Sequence, residues 1–398
     1  METERTARAG SGSSRSDPPD VLIVGGGVIG LSLARELAGR GARTTVLDRG
    51  PAGQEASWAA AGMLVPQSDS PSPGPHFELL LASHRLYPEW ARGLEEETGE
   101  AVGCRRTGLL RCARNEAEER ALAKYDWQTN RGLAVETVGT EDLARRLGRG
   151  AAAVRAARLF PDEGVVDARR LTRALAESAR RRGVDLRTET AARRFRVVSG
   201  RCRGVETSSG VIEAGLVVNA SGAWAGFDRD LPFPVPVEPV RGQIVELALP
   251  GDAPETIVES RDAYLAPHEG GRLLLGSTLE RAGFEKRVTA GAVGNLIAEA
   301  TRLWPAIPRG RFVTAWAGLR PGTPDGLPIL GGCGVAGLYF ATGHYRHGIL
   351  LAPATARLLA DLLCGRPVPD LSPFSLSRFG PERLAAGRPE ASPPEDFK

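Results

Sequence analysis

Arg320 and the residues after it have the makings of a fixed binding fork. Pro321 restricts Arg320 to extended backbone, and Gly322-Thr323-Pro324-Asp325-Gly326 reads as a turn, so the side chain is expected at a strand end. A planar guanidinium fixed there holds a carboxylate through two parallel hydrogen bonds. The competing reading is an Arg paired with a surface acid. Lys stands only at 124, 286 and 398, so 48 of the 51 basic residues are Arg, and charge alone singles out none of them.

Gly25-Gly26-Gly27-Val28-Ile29-Gly30 offers a second chemistry, since closely spaced glycines let the backbone approach a pyrophosphate whose charge sits on unpaired N–H groups at a helix start. In a chain with 49 glycines that spacing also arises by chance, and Gly332-Cys333-Gly334-Val335-Ala336-Gly337 repeats it. Context separates the two. The first follows the apolar run Val21-Leu22-Ile23-Val24 and precedes Ile29, Leu33 and Leu37 at helical spacing. A second strand, Thr44 to Leu47, ends on Asp48, placed to accept from ribose hydroxyls. The second match leads into Leu338-Tyr339-Phe340-Ala341, a strand, and is rejected as a dinucleotide loop.

The strand Leu338 to Thr342 runs through Gly343-His344-Tyr345-Arg346-His347-Gly348 into a helix from Ile349 to Leu363, repeating the geometry of the first loop. His344 and His347 lie three apart without a third ligand of suitable spacing, so no metal is expected. Tyr264, in Asp262-Ala263-Tyr264-Leu265-Ala266-Pro267, is either a half-buried strand aromatic or a site residue. No Ser/His/Asp or Cys/His nucleophile arrangement stands out.

These residues need a scaffold, and the chain is long enough for two or three folding units at 398 residues. Apolar residues at 42% and charged residues at 25% exclude a mostly disordered or collagen-like chain. The net charge of +3, with no basic block, argues against nucleic acid or an anionic membrane surface as the main partner. Five cysteines without a C-x-x-C pair suggest neither a disulfide framework nor a thiolate zinc site, and point to a cytoplasmic chain. The first twenty residues hold no apolar signal core.

The expected fold class is α/β: a Rossmann-like domain with a parallel sheet and crossover helices, interrupted by a mainly antiparallel α+β substrate domain. Helices are expected from Phe77 to about Glu97, from Asp167 to Arg182 and at about 290 to 303. Leu216 to Asn219 is expected to rejoin the parallel sheet, and the four-proline stretch Leu231 to Pro239 to cross between domains. The boundaries drawn are a disordered tail at 1–19, a dinucleotide domain at 20–80, 151–230 and 318–370, a substrate domain at 81–150 and 231–317, and a tail at 371–398.

Six segments occur together in a familiar order. They are the opening glycine loop, Ser57-Trp58-Ala59-Ala60-Ala61-Gly62-Met63, Val218-Asn219-Ala220-Ser221-Gly222-Ala223-Trp224, Arg241-Gly242-Gln243, Trp316 to Thr323, and Gly343 to Pro353. With them the chain resembles the D-amino-acid-oxidase-like FAD oxidoreductases over about residues 20 to 365, and within that family the glycine oxidases of thiamine biosynthesis. His347 is a departure, where that branch places Asn.

The resemblance implies FAD, held noncovalently because no Cys lies in the Leu319 to Asp325 turn. It implies cofactor contacts from Gly25, Gly27, Val28, Ile29, Gly30 and Asp48; from Ser57, Ala60, Ala61, Gly62 and Met63; from Ala192 and Gly222; and from His344, Tyr345, Arg346, His347, Gly348, Ile349 and Leu350. Arg320 and Tyr264 would clamp the carboxylate of a small amino acid or amine, with Leu279 limiting its side chain. Arg346 would either contact the substrate or hold its loop. The implied reaction is oxidative deamination to the oxo acid and ammonia, with dioxygen as the second substrate and hydrogen peroxide as product. A dehydrogenase of the same fold, passing electrons to a quinone or carrier protein, is the alternative; a non-enzymatic NAD- or flavin-binding regulator is a more distant one. The sequence leaves the oligomeric state open, a homo-oligomer included.

Overall fold

The structure, a computed structural model, describes residues 18–380; of the expected tails 1–19 and 371–398, the parts 1–17 and 381–398 lie outside the described residues. A six-stranded sheet runs in the order Ile329–Gly332, Leu338–Thr342, Leu216–Asn219, Val21–Val24, Thr44–Leu47, Asp185–Arg187. Every neighbouring pair is parallel except the edge strand Ile329–Gly332, which is antiparallel to Leu338–Thr342. That edge hairpin contains the rejected second glycine match.

Helix Val28–Gly39 buries Ile29, Leu33 and Leu37 at intervals of four, each worth about 1.5–3 kcal/mol when removed from water. It shares one core with the helices Pro75–Thr98, Ala168–Arg181 and Gly348–Leu363. Asp167 caps Ala168–Arg181 as expected, accepting from the backbone N–H groups of Arg169 and Arg170. A small antiparallel sheet spanning Ala192–Val198, Arg201–Thr207 and Gly210–Glu213 covers the other face of the six strands.

An eight-stranded sheet forms the second unit, with Arg311–Gly322 at one edge beside Glu238–Ala248, then Arg272–Gly276, Tyr264–Pro267, Ile257–Glu259, Leu109–Ala113, Ala156–Phe160 and Glu136–Val138. Helix Ala290–Leu303 packs on one face. The opposite face, carrying Ile244, Leu274 and Trp316, meets the alanine-rich segment around Ala59. The proline stretch after Leu231 is irregular and links the two sheets.

Three boundaries differ from expectation. Helix Pro75–Thr98 belongs to the first core throughout, because Leu80, Tyr87 and Leu94 are buried against the dinucleotide-side helices. Strand Ala156–Phe160 pairs with Leu109–Ala113 and therefore lies in the second unit. Residues 371–380 are packed rather than loose, since Phe374, Leu376 and Phe379 are buried. In each case long-range burial, absent from local pattern, decides the placement.

Candidate active site

A cavity of about 550 Å³ lies between the two sheets, bounded by the carboxyl ends of Val21–Val24 and Leu338–Thr342 and by the inner face of the eight-stranded sheet. This is the crevice position that open α/β sheets offer to ligands. It receives two glycine-lined helix starts from opposite ends of the chain, Gly27–Val28 and His347–Gly348.

At the first of these, Gly25, Gly27, Val28, Ile29 and Asp48 line the cavity. Gly25 has φ +111°, and a Cβ there would run into the Ala220 carbonyl. The Asp48 carboxylate accepts from Gly26 N at 2.7 Å and Gly50 N at 3.0 Å, while burial pushes its pKa upward. Gly30 does not line the cavity. A Cβ on it would strike the Gly25 carbonyl, so it lets helix and loop pack closely.

Ser57, Ala60, Ala61, Gly62 and Met63 line the next stretch of wall. Ser57 Oγ accepts from Val28 N at 2.9 Å, tying this segment to the helix start. Gly62, at φ +77°, leaves no room for a Cβ beside the Val166 carbonyl. Trp316 Nε1 donates to the Ala59 carbonyl at 3.0 Å, and the Arg169 guanidinium lies over both Trp58 and Trp316, at 3.7 and 4.1 Å from the ring centres. The backbone of the segment is thus fixed from both units. Ala192 and Gly222 also line the cavity.

At the second helix start, His344, Tyr345, Arg346, His347, Gly348 and Ile349 reach the wall. Leu350 does not: it is fully buried, and its carbonyl accepts from Ser83 Oγ at 2.6 Å, so it faces the helix core instead. Tyr345 takes a left-handed φ of +47°. His344 Nε2 bonds Thr355 Oγ1 at 3.1 Å, and burial pushes its pKa down to about 3, which keeps the ring neutral.

Arg346 donates to both oxygens of Asp69, at 2.9 and 3.1 Å, and His347 Nε2 lies 3.0 Å from the same carboxylate. Burial alone would raise Asp69; the charge of Arg346 and the His347 hydrogen bond instead hold it well below the usual carboxylate range. Arg111, bound to Glu259 at 2.8 Å, lies 3.7 Å from Asp69. Behind this cluster, Glu163 Oε1 accepts from Gln67 N at 2.8 Å and Ser68 N at 2.7 Å, and burial pushes the Glu163 pKa up to about 8. Asp69 and Glu163, in loops, and Arg111 and Glu259, in strands, were invisible to sequence reasoning, because single charged residues carry no periodic signal.

Arg320 lies in the cavity wall within strand Arg311–Gly322, as expected. Its donors reach the Thr278 carbonyl at 3.1 Å and Ser277 Oγ at 2.6 Å, both neutral. Gly242 makes room for it, since a Cβ there would meet the guanidinium. Burial lowers its pKa from the ordinary value. Tyr264 sits beside it on strand Tyr264–Pro267, its pKa raised by burial, so the ring keeps its phenolic proton. Leu279 lines the same end.

A Rossmann-like crevice with two glycine-lined helix starts, and a wall of small residues beside them, is the site of a flavin-dependent oxidoreductase. Residues 20–362 match the family described as FAD dependent oxidoreductase, and the chain belongs to that family. It is 39% identical to glycine oxidase of Geobacillus kaustophilus over 365 residues, which is 90% of this chain and 97% of that protein. It is 36% identical to the bifunctional protein ThiO/ThiG of Synechocystis sp., covering 90% of this chain and 54% of that longer one. The crystal structure of the Geobacillus kaustophilus glycine oxidase superposes with a TM-score of 0.87 at 38% identity, over 90% of this chain and 98% of that one. The cofactor is FAD, and the space left by Gly25 and Gly62 suits a flat, pyrophosphate-bearing ligand.

Proposed function

We propose that this chain oxidises glycine, or an amino acid or amine of similar size, to the oxo acid, with release of ammonia and hydrogen peroxide. The observation that carries the reading is Arg320: a half-buried guanidinium on the cavity wall whose hydrogen bonds go to neutral oxygens. Among the described residues no carboxylate lies within ion-pair distance of it. A cation drawn into a cavity wall without a counter-ion is costly once a ligand shuts out water, so the site is completed by an anionic ligand. The carboxylate of an amino acid supplies it, and the Tyr264 hydroxyl is placed to add a hydrogen bond. Bound there, the substrate is oriented with its amine-bearing carbon toward the second helix start.

FAD supplies the two-electron oxidation of the amine to an imine, which water then hydrolyses. For glycine, one dioxygen and one water are consumed, and glyoxylate, ammonia and hydrogen peroxide are formed. No side chain is assigned as the base; the neutral form of the substrate amine is the reacting species. Arg346, committed to Asp69, holds the turn at the second helix start rather than the substrate. Leu279 and Tyr264 bound the space for a side chain, which favours glycine, sarcosine and small D-amino acids over larger ones.

The relationship to ThiO/ThiG supports a place in thiamine (thiazole) biosynthesis, and the five cysteines, all unpaired, support action in the cytoplasm. The test is to purify the yellow protein and add glycine without oxygen. Bleaching of the flavin, followed on readmission of air by peroxide in step with glyoxylate, is expected. A spectrum that glycine leaves unchanged removes glycine as substrate. Glyoxylate without matching peroxide assigns the electrons to a quinone or carrier protein.

A further inference from the structure

Between strand Arg272–Gly276 and helix Ala290–Leu303 the chain leaves the second unit and touches the first. Phe284 stacks on Trp224, ring centres 5.3 Å apart and planes 29° from parallel. The Arg49 guanidinium also covers Trp224, at 3.6 Å from the ring centre. Arg49 donates to Glu55 at 2.6 Å, and Lys286 Nζ pairs with the same Glu55 carboxylate at 2.9 Å. Arg49, Glu55 and Trp224 all line the cavity, next to Asp48 and Ser221. Phe284 is 54% exposed and is not part of the wall.

Both stalks of this loop are pinned by the Arg241-Gly242-Gln243 strand. Arg241 and Glu280 exchange backbone hydrogen bonds at 2.9 and 3.0 Å, and the Arg241 side chain holds Glu280 and Glu285. Gln243 donates to Glu280 at 2.7 Å and accepts from Thr289 N at 2.8 Å. A loop anchored this firmly at its base delivers its tip as a fixed element. Nothing in substrate binding by Arg320 requires that tip, which lies toward Asp48.

We propose that the loop 281–288 is a latch that retains FAD, with Phe284 and Lys286 as positioning residues acting on the cavity wall through Trp224 and Glu55. The two units cannot part on the Asp48 side while the stack and the ion pair are made. Cofactor escape along that side therefore waits for them to break. The assignment rests on the cavity being the FAD site, and not on glycine being the substrate.

The experiment follows release of flavin fluorescence after holoenzyme is diluted into FAD-free buffer. Phe284→Ala releases flavin about three- to tenfold faster, the worth of one aromatic pair, while Phe284→Tyr behaves as the unaltered protein. Lys286→Ala gives a smaller acceleration, about twofold, that fades as salt screens the exposed pair in the unaltered chain. KM for glycine at saturating FAD is unchanged in all three. An unaltered release rate in Phe284→Ala overturns the proposal. So does a raised KM with unaltered release, which would give the loop to substrate entry. Equal thermal midpoints of the apoproteins show that the variants fold. Since flavin release needs no turnover, a wrong substrate leaves this readout intact.

Discussion

Asp69 and Arg346 lie 277 residues apart in the chain and share two hydrogen bonds of 2.9 and 3.1 Å beside the flavin crevice. One carboxylate, carried on a loop of the first unit, thereby fixes the turn from which the second glycine-lined helix start emerges. Its two neighbours Arg346 and His347 are both held by it, so the charge of Arg346 is already matched, whereas the hydrogen bonds of Arg320 go to neutral oxygens.

Replacing Asp69 by Asn takes the counter-ion from Arg346, whose side chain is 32% exposed. With Asp69 covered and Arg346 partly screened by water, losing the pair costs about 1–3 kcal/mol, so Asp69→Asn is expected to lower the thermal midpoint and to reduce kcat for glycine more than it raises KM. A variant with unchanged stability and kcat would show that the pair does not hold the turn. Differential scanning calorimetry and steady-state kinetics check both.

Arg320→Ala removes the carboxylate fork while leaving both helix starts intact. Loss of a charge-assisted, two-point contact is worth about 2–3 kcal/mol, so KM for glycine should rise roughly 30- to 150-fold, with the visible flavin spectrum retained. Arg320→Lys recovers only part of this, because an ammonium lacks the planar fork. An unchanged KM in Arg320→Ala would take the residue out of the site.

Gly62→Ala meets a steric limit as well as a conformational one: φ is +77° and the added Cβ would run into the Val166 carbonyl. Strain of about 1–3 kcal/mol from the backbone alone, with the clash added, predicts weak FAD binding and poor soluble yield. Gly41→Ala is a control for the backbone term, since φ there is +85° but nothing lies near. If the two variants bind FAD equally well, close approach at Gly62 is not the constraint.

Glu163 gives the protein a pH-dependent stability. Its folded pKa is raised to about 8 by burial, well above an unfolded carboxylate. A group raised in the folded state contributes stability that is fully present below its unfolded pKa and is lost as pH rises through the folded value. Stability should therefore fall from about pH 4.5 toward pH 8, at up to about 1.4 kcal/mol for each pH unit while this group titrates. Glu163→Gln, which has no proton to lose, should flatten that slope and be the more stable form at pH 9. A parallel slope in the variant, measured by urea unfolding, would place the titration elsewhere.

Catalysis should follow the substrate amine. With His344 pushed down to about 3 and the Tyr264 phenol raised by burial, neither titrates near neutrality. kcat/KM for glycine is then expected to rise toward alkaline pH as the amine loses its proton. A maximum near pH 5 would contradict the reaction of the neutral amine.

The local sequence determined the parts whose physics is local. The strand, glycine turn and helix from Val21 to Gly39 are written in an apolar run, a close-approach loop and a spacing of four, and the same grammar marks the turn at Gly343. Pro321 fixes Arg320 in an extended backbone wherever the strand lies. Only the tertiary structure decided that helix Pro75–Thr98 joins the first core, that Leu350 and Gly30 serve packing rather than the cavity wall, and that Arg346 answers to Asp69. Those outcomes depend on burial and charge pairing between residues brought together from distant parts of the chain. Such contacts leave no period in the sequence, because a single acid in a loop acquires its role only from the surface that closes over it.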